Sequence, residues 1–451
     1  MRITLRTAVG DEARAQTEKW AVIGAGVLGM TLAHRLGDLG KEVTLFEASP
    51  RLGGLAAPWQ LGEVTWDRHY HVTLLSDART RAMYEMLGLG DRVRWVETKT
   101  GYYGTDAKLR SVSNAVEFLR LPGLRMVDKL RLASTILYGS RVRSGARVER
   151  IRVEPWLTRW SGKRTFDVFW KPLLRAKLGD EYTQTSAAFI WSTIQRLYAA
   201  RRSGIGREKF GYVDGGYDTV CRGFEEHLAK RGVDIRLSTP VRSVRPSTDG
   251  SLEVTTAGGA ERFDRVVVTT ASSLAARLCP DLLANERKRL EEVRYVGIVC
   301  VSLLLRRPLA DYYLTYITDP STPFTAVVEM TAFVDPQQLG GHSLVYLPKY
   351  ATSSHPLFAM DDDRIVAEFS SYLRTMYPDL AEEDVLAARV SKVAEVFAVP
   401  TLSYSDSAPS IATSVPGLYL AGSANLPFAT LNVNDTLSLV DEVIMATGAE
   451  G

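Results

Sequence analysis

Gly24, Gly26 and Gly29 are spaced Gly-x-Gly-x-x-Gly near the start of the chain. This pattern suits a backbone to hold a phosphate. The first glycine permits a tight turn, the second lets a pyrophosphate approach the chain, and the third lets a helix pack close to a strand. A helix starting there turns free N–H groups and partial positive charge toward the anion. Glu47 stands eighteen residues beyond Gly29. A carboxylate at that distance accepts hydrogen bonds from a ribose diol and repels a 2′-phosphate. A second glycine pair, Gly53–Gly54, follows Arg51 and implies a second close backbone approach, as a long dinucleotide requires. Further along, His69, Tyr70 and His71 follow Trp66–Asp67, and imidazoles move protons near neutrality. His71 is the candidate base and His69 a candidate substrate contact. The stretch LVYLPKY offers Tyr346 and Tyr350 to wall a cavity and Lys349 to position a water, with a purely structural lysine as the alternative.

The glycine pattern carries this meaning only if the right elements flank it. Trp20 to Ile23 is a short apolar run, as in a buried parallel strand. Val27 to Leu39 has helical apolar spacing and Gly40 is a fitting stop, while Val43 to Phe46 is a second apolar strand ending at Glu47. The result is a βαβ unit. Asp77 to Phe210 reads mostly helical. Tyr212 to Gly232 is a glycine turn followed by a helix, and Val233 to Thr270 is strand-like with turns at Asp249–Gly250 and Gly258–Gly259. Val293 to Leu305 and Ser343 to Leu347 are further strands, and Met360 to Leu386 looks helical. Gly417 to Ser423 is a strand entering a glycine turn, and Thr436 to Met445 is a closing helix with Asp435 as its N-cap.

The chain has 451 residues, 45% hydrophobic and 24% charged, with a net charge of +3. That is ample for two large interleaved domains and too mild a charge for a dedicated nucleic-acid binder, so no nucleic-acid partner is expected. No apolar run reaches the ~18 residues of a membrane span, and the first twenty residues lack the apolar core of a signal peptide. Residues 1–18 read as a flexible lead-in. Cys221, Cys279 and Cys300 are widely separated and the six histidines form no HExxH, so neither a disulfide framework nor a metal centre is expected. A reducing cytoplasm is the natural home.

Taken together, VIGAGVLGM, Glu47, RLGGLA, the central GGYDTV, the VVVTTA strand and the terminal GLYLAG resemble the FAD-dependent amine oxidase superfamily, which includes protoporphyrinogen oxidases and phytoene desaturases. DRHYHVTLLSD, WKPLLRAKLGD, GHSLVYLPKY and VPTLSYS look like bacterial protoporphyrinogen-oxidase-like flavoproteins. The resemblance implies an α/β fold: a Rossmann-type FAD/NAD(P)-binding domain with an interleaved α+β substrate domain. Residues 19–76, 211–290 and 400–451 would bind FAD, and 77–210 and 291–399 the substrate. It places Val241 at the adenine, Gly422 at the pyrophosphate or ribityl chain, and the histidine-bearing strand near the flavin. The superfamily's usual Gly-Asp is Gly422–Ser423 here. Either Asn425 or the NVND stretch, with Asn434 and Asp435, compensates, the helix start facing the flavin N1/C2 edge, or flavin binding is weaker.

The implied activity is removal of hydride equivalents from a sizeable, mostly apolar small molecule of isoprenoid or tetrapyrrole type, or an anionic one. Residues 120–175 hold 14 Lys and Arg against four acids. This basic stretch, interleaved with Trp156, Trp160, Phe166, Phe169 and Trp170, suggests peripheral contact with an anionic membrane surface on the cytoplasmic side. Two rivals stand beside this reading. One is a redox-neutral flavoenzyme similar to UDP-galactopyranose mutases, with Arg175, Arg201 and Arg202 holding a nucleotide-sugar diphosphate. The other is a flavin-binding protein without catalysis.

Overall fold

The computed structural model describes residues 17–114, 117, 120, 123–201, 209–428 and 432–449, and of residues 197–201 the backbone only. Most of the lead-in, Arg202 and the side chain of Arg201 lie outside the described residues. Lys19–Ile23 and Glu42–Phe46 are strands, each buried beyond its first residue. Apolar runs form such strands when both faces of a sheet are covered. Between them Val27–Asp38 is a helix, released where Gly40 takes φ +73°. Asp234–Arg236, Arg265–Val268 and Leu418–Leu420 join the same parallel sheet, in the order 234–236, 42–46, 19–23, 265–268, 418–420. The N-terminal, middle and C-terminal stretches therefore build one doubly wound α/β sheet. Its strand order reverses beside Lys19–Ile23, which opens a crevice at the strands' carboxyl ends.

One face of this sheet packs against helices Val27–Asp38, Gly216–Lys230 and Val433–Thr447 through Leu32, Leu45, Phe224 and Leu439. The other packs against an antiparallel meander, Ser243–Pro246, Leu252–Thr256 and Gly259–Phe263. A second, seven-stranded mixed sheet runs Val385–Ala398, Tyr295–Leu305, Ser343–Ala351, Ala326–Glu329, Leu314–Ile317, Thr100–Tyr103, Leu109–Ser111. Its Tyr346 face meets a helical layer that includes Val153–Ser161, Lys171–Leu178 and Ala187–Arg201, and its Val345 face meets helix Asp362–Met376.

One element reading holds with strands added, and another needs correction. The stretch from Asp77 to Phe210 contains strands at Val93–Glu97, Thr100–Tyr103 and Leu109–Ser111, because β-branched and aromatic residues there pair across the sheets. The helix expected over Met360 to Leu386 ends at Met376, since Pro378 keeps Tyr377 out of the α region, and strand Val385–Ala398 follows. The aromatics of the basic segment are also mostly core: Trp156, Phe166 and Trp170 are buried, and Trp160 is exposed. The apolar surface lies instead on helix Met126–Arg141. Met126, Leu130 and Leu137 fall on one stripe of it, with Leu130 67% exposed.

Candidate functional site

The glycine loop sits in the sheet crevice. Gly24 adopts φ +102° and its N–H donates to the Phe46 carbonyl at 2.8 Å. Thr269, at the end of strand Arg265–Val268, donates its hydroxyl to the Gly24 carbonyl at 2.9 Å. A Cβ on Gly29 would lie 1.9 Å from that carbonyl oxygen, so helix and strand touch backbone to backbone. Gly26 differs. Its φ of −69° suits any residue, and a Cβ there would meet no atom of the described residues within 4 Å. The second glycine pair lies against it: the Gly53 N–H donates to the Ala25 carbonyl at 2.8 Å, and a Cβ on Gly54 would be 3.0 Å from the Gly26 Cα. Packing within the protein thus demands Gly24, Gly29 and Gly53 but not Gly26, which faces free space at a helix N-terminus. That is the cradle a dinucleotide pyrophosphate fits.

Glu47 holds this loop as well as facing the crevice. Its carboxylate accepts the Ala25 N–H at 2.7 Å and the Ser49 N–H at 2.9 Å, so its remaining lone pairs are fixed in direction. Glu47→Gln turns an amide NH₂ toward one of those N–H donors. FAD affinity is expected to fall about tenfold or more, read by reconstitution of the apoprotein. Unchanged affinity would remove the ribose from this carboxylate. Val241 is half-buried and its backbone N–H and carbonyl make no hydrogen bond to other described residues, which leaves both for a base edge. Nearby, a cavity of about 360 Å³ opens beside Phe46, Thr239 and Thr256. Arg51 is exposed and contributes its carbonyl to the Ser49 hydroxyl at 2.6 Å.

The C-terminal residues divide between fold and site. Gly422 is extended, with the Thr270 carbonyl 2.9 Å from where a Cβ would stand, and Ser423 is half-buried beside it. Asn425 is spent on the turn: it accepts the Gly422 N–H and donates to the Pro409 carbonyl, both at 2.9 Å. The closing helix is Val433–Thr447 and its N-cap is Asn432, not Asp435. The Asn432 side chain accepts the Asp435 N–H at 2.9 Å, which makes Asp435 the third helical residue. Burial raises the Asp435 carboxyl's pKa. Asn434 accepts the Arg79 N–H at 3.0 Å and so braces the neighbouring helix.

The histidine segment is not a strand: the chain leaves strand Val64–Asp67 and runs irregularly to Val72. Asp67 is 3% exposed and accepts the Tyr217 N–H at 2.7 Å, while its carbonyl accepts the Tyr346 hydroxyl. The His71 Nδ1 is buried 3.5 Å from the Asp67 carboxylate, yet the side chain keeps 20% of its surface, so the far edge of the ring carries the exposure. His69 differs. Its Nδ1 meets the Leu55 carbonyl at 3.1 Å, its Nε2 is buried, and burial pushes its pKa down to about 3. It stays neutral and does not relay protons near neutrality. As pH falls below 6.5 the unfolded chain takes up this proton and the folded one does not until about pH 3. Above pH 6.5 His69 adds no pH dependence. Between those limits stability should fall by about 1.4 kcal/mol per pH unit through this residue. Denaturation midpoints of His69→Gln should be flatter than wild type by that slope; identical slopes would contradict a buried neutral His69.

Strand alternation separates the LVYLPKY residues. Tyr346 is fully buried and Tyr350 half-buried in the cluster facing the helical layer. Lys349 shares the opposite parity with Val345 and Leu347, whose side chains pack toward helix Asp362–Met376. Burial, then the charge of Arg175, lowers the Lys349 pKa, and strand parity sets its Cβ on the face away from those of Tyr346 and Tyr350. Arg175 is exposed and bound to Asp180 at 2.7 Å. Sequence reasoning passed over Tyr70, Lys177 and Asp67. The Tyr70 hydroxyl lies 2.9 Å from that of Tyr350, and the Lys177 ammonium donates to both at 3.2 and 3.1 Å. No local spacing marks such a trio; only the polar Asp67 closing an apolar strand signalled a buried anchor.

The crevice, the two glycine stretches and the polar turn at Asp67–His71 thus meet at one place. The family model of flavin containing amine oxidoreductase matches residues 29–427. The tomato (Solanum lycopersicum) 15-cis-phytoene desaturase is 21% identical over 434 residues, covering 89% of this chain and 72% of that protein. A structure from Exiguobacterium, provisionally assigned as a protoporphyrinogen oxidase, superposes with a TM-score of 0.77 at 18% identity, covering 96% of this chain and 99% of the other. A reduced UDP-galactopyranose mutase superposes with a TM-score of 0.74 at 16% identity, covering 96% of each chain. At these identities the structures share the fold.

Proposed function

The chain belongs to the flavin-containing amine oxidoreductases, and from that premise we propose that it removes a hydride equivalent from a C–H or C–N bond of a long, mostly apolar substrate of isoprenoid or tetrapyrrole type. FAD is the cofactor and the protein is an FAD-dependent oxidoreductase. When bound, the flavin supplies the hydride acceptor. The observation that carries the reading is Gly26, a glycine that only an external group requires. Residues 19–76, 211–290 and 400–451 would hold the cofactor, and 77–210 and 291–399 the substrate. This division is supported by a parallel sheet that draws all its strands from the first set. An apolar substrate fits the half-buried Val72, Trp191, Phe210, Tyr350 and Phe428 around the second core. His71 would take the substrate proton from its exposed edge. Tyr70, Lys177 and Tyr350 would offer the polar contact that orients an otherwise featureless chain.

Such a substrate lives in membranes. No helix among the described residues is long and apolar enough to cross one. The exposed Met126, Leu130 and Leu137, set in the basic 120–175 segment, support peripheral contact with an anionic leaflet on the cytoplasmic side. Anaerobic mixing of the FAD-loaded protein with dispersed polyenes, porphyrinogens and small amines decides the substrate class. Bleaching of the flavin by a polyene or porphyrinogen is the expected result. Bleaching by small amines alone would overturn it. Of the three arginines that the redox-neutral reading would use, Arg175 is held at the surface by Asp180, and Arg202 and the side chain of Arg201 lie outside the described residues.

A further inference from the structure

Arg68 begins the irregular turn beside the glycine cradle. Its Nη2 donates to the Gly54 carbonyl at 2.6 Å, and its Nε is buried without a partner. Arg389, on strand Val385–Ala398, donates to the Gln60 carbonyl at 3.0 Å, and its guanidinium lies 4.6 Å over the Trp59 ring. Among the described residues neither guanidinium pairs with a carboxylate; both end on carbonyls. The nearest carboxylate in sequence, Asp67, is turned the other way, toward Tyr217 and His71. The Arg68 N–H donates to the Ala57 carbonyl at 3.3 Å, two residues before Trp59, so both arginines attach to the short stretch from Ala57 to Gln60. Burial first, then the charge of Arg389, lowers the Arg68 pKa, and an anion between two such cations is favoured. The Gly54 carbonyl that steers Arg68 belongs to the pair lying against Gly26.

We infer that Arg68 and Arg389 form an anion-binding site beside the glycine cradle, taking the oxyanion of a phosphate or carboxylate. Guanidinium forks match both groups with paired hydrogen bonds. Two sources present this chemistry: the pyrophosphate of the dinucleotide, and an acidic group on a second bound molecule. The inference concerns an oxyanion and not the redox step, so its failure leaves the proposed reaction standing.

The test uses full-length Arg68→Met, Arg68→Lys and Arg389→Met, each checked for folding by its melting temperature. Arg389 is exposed, so its variant keeps the measurement available if Arg68→Met fails to fold. Apoprotein is titrated with FAD and with riboflavin, and FAD-loaded protein with inorganic pyrophosphate. If the cofactor is the source, FAD affinity falls about 10- to 100-fold in Arg68→Met and riboflavin affinity does not change. If a second molecule is the source, FAD affinity holds while the flavin's spectral response to pyrophosphate weakens by a similar factor in both Met variants. Arg68→Lys keeps the charge without the fork and should fall between. Folded variants that bind FAD and pyrophosphate as wild type does would overturn the site.

Discussion

Gly26→Val is expected to fold as the wild type does and to lose FAD. Its Cβ would meet no atom of the described residues within 4 Å, at a φ of −69° that valine adopts readily. Stability should therefore move by no more than about 0.5 kcal/mol. A pyrophosphate lying over that backbone would be displaced, and affinity should fall by about 100-fold or more, read as the flavin-to-protein absorbance ratio after purification. Gly29→Ala should do the opposite. Its methyl group would stand 1.9 Å from the Gly24 carbonyl oxygen, and Gly24 is itself pinned by Thr269 and by its bond to Phe46. Neither backbone can give way, so the loss should reach about 3 kcal/mol. Retained FAD in Gly26→Val would show that nothing approaches this glycine. A normally stable Gly29→Ala would show that helix and strand are not in contact.

The second large effect concerns the proton. His71→Ala should slow anaerobic flavin reduction by about 10²- to 10⁴-fold, the range of a lost general base, with FAD affinity unchanged. Asp67 acts through it: its carboxylate, fixed by the Tyr217 N–H, faces the His71 Nδ1 and leaves the outer ring nitrogen to accept. Asp67→Asn should keep some of the rate and shift its pH profile, a change that a merely structural aspartate would not produce. Reduction at the wild-type rate in His71→Ala would place the base elsewhere.

The cofactor half was legible in the sequence for a physical reason. A phosphate cradle is built from neighbours: three glycines within six residues, flanked by apolar runs and followed by an acid at a fixed distance. Local spacing records local geometry. The closing helix shows the limit of this, since Asp435 and Asn432 both suit a cap and only the folded backbone, with the Asp435 N–H on the Asn432 side chain, selects Asn432. The substrate half was harder. Lys349 and Tyr350 are adjacent, yet a strand turns them to opposite faces, and Lys177 reaches Tyr70 across 107 positions. The basic segment misled because its aromatics share a helical period with its charges; Trp156 and Trp170 went inward, and an unremarked aliphatic stripe went out.

The parallel sheet has a consequence for how the protein is made. Lys19–Ile23 leaves the ribosome well before its partner Arg265–Val268, which follows more than two hundred residues later, and Leu418–Leu420 comes later still. Pairings so distant along the chain close slowly, because a long loop must be ordered before any contact repays it. Until then the N-terminal βαβ unit has both sheet edges uncovered and little to hold the phosphate in place. A cradle that is complete only when these strands have paired binds cofactor in the finished fold alone, so flavin supply should draw late folding chains toward the native state.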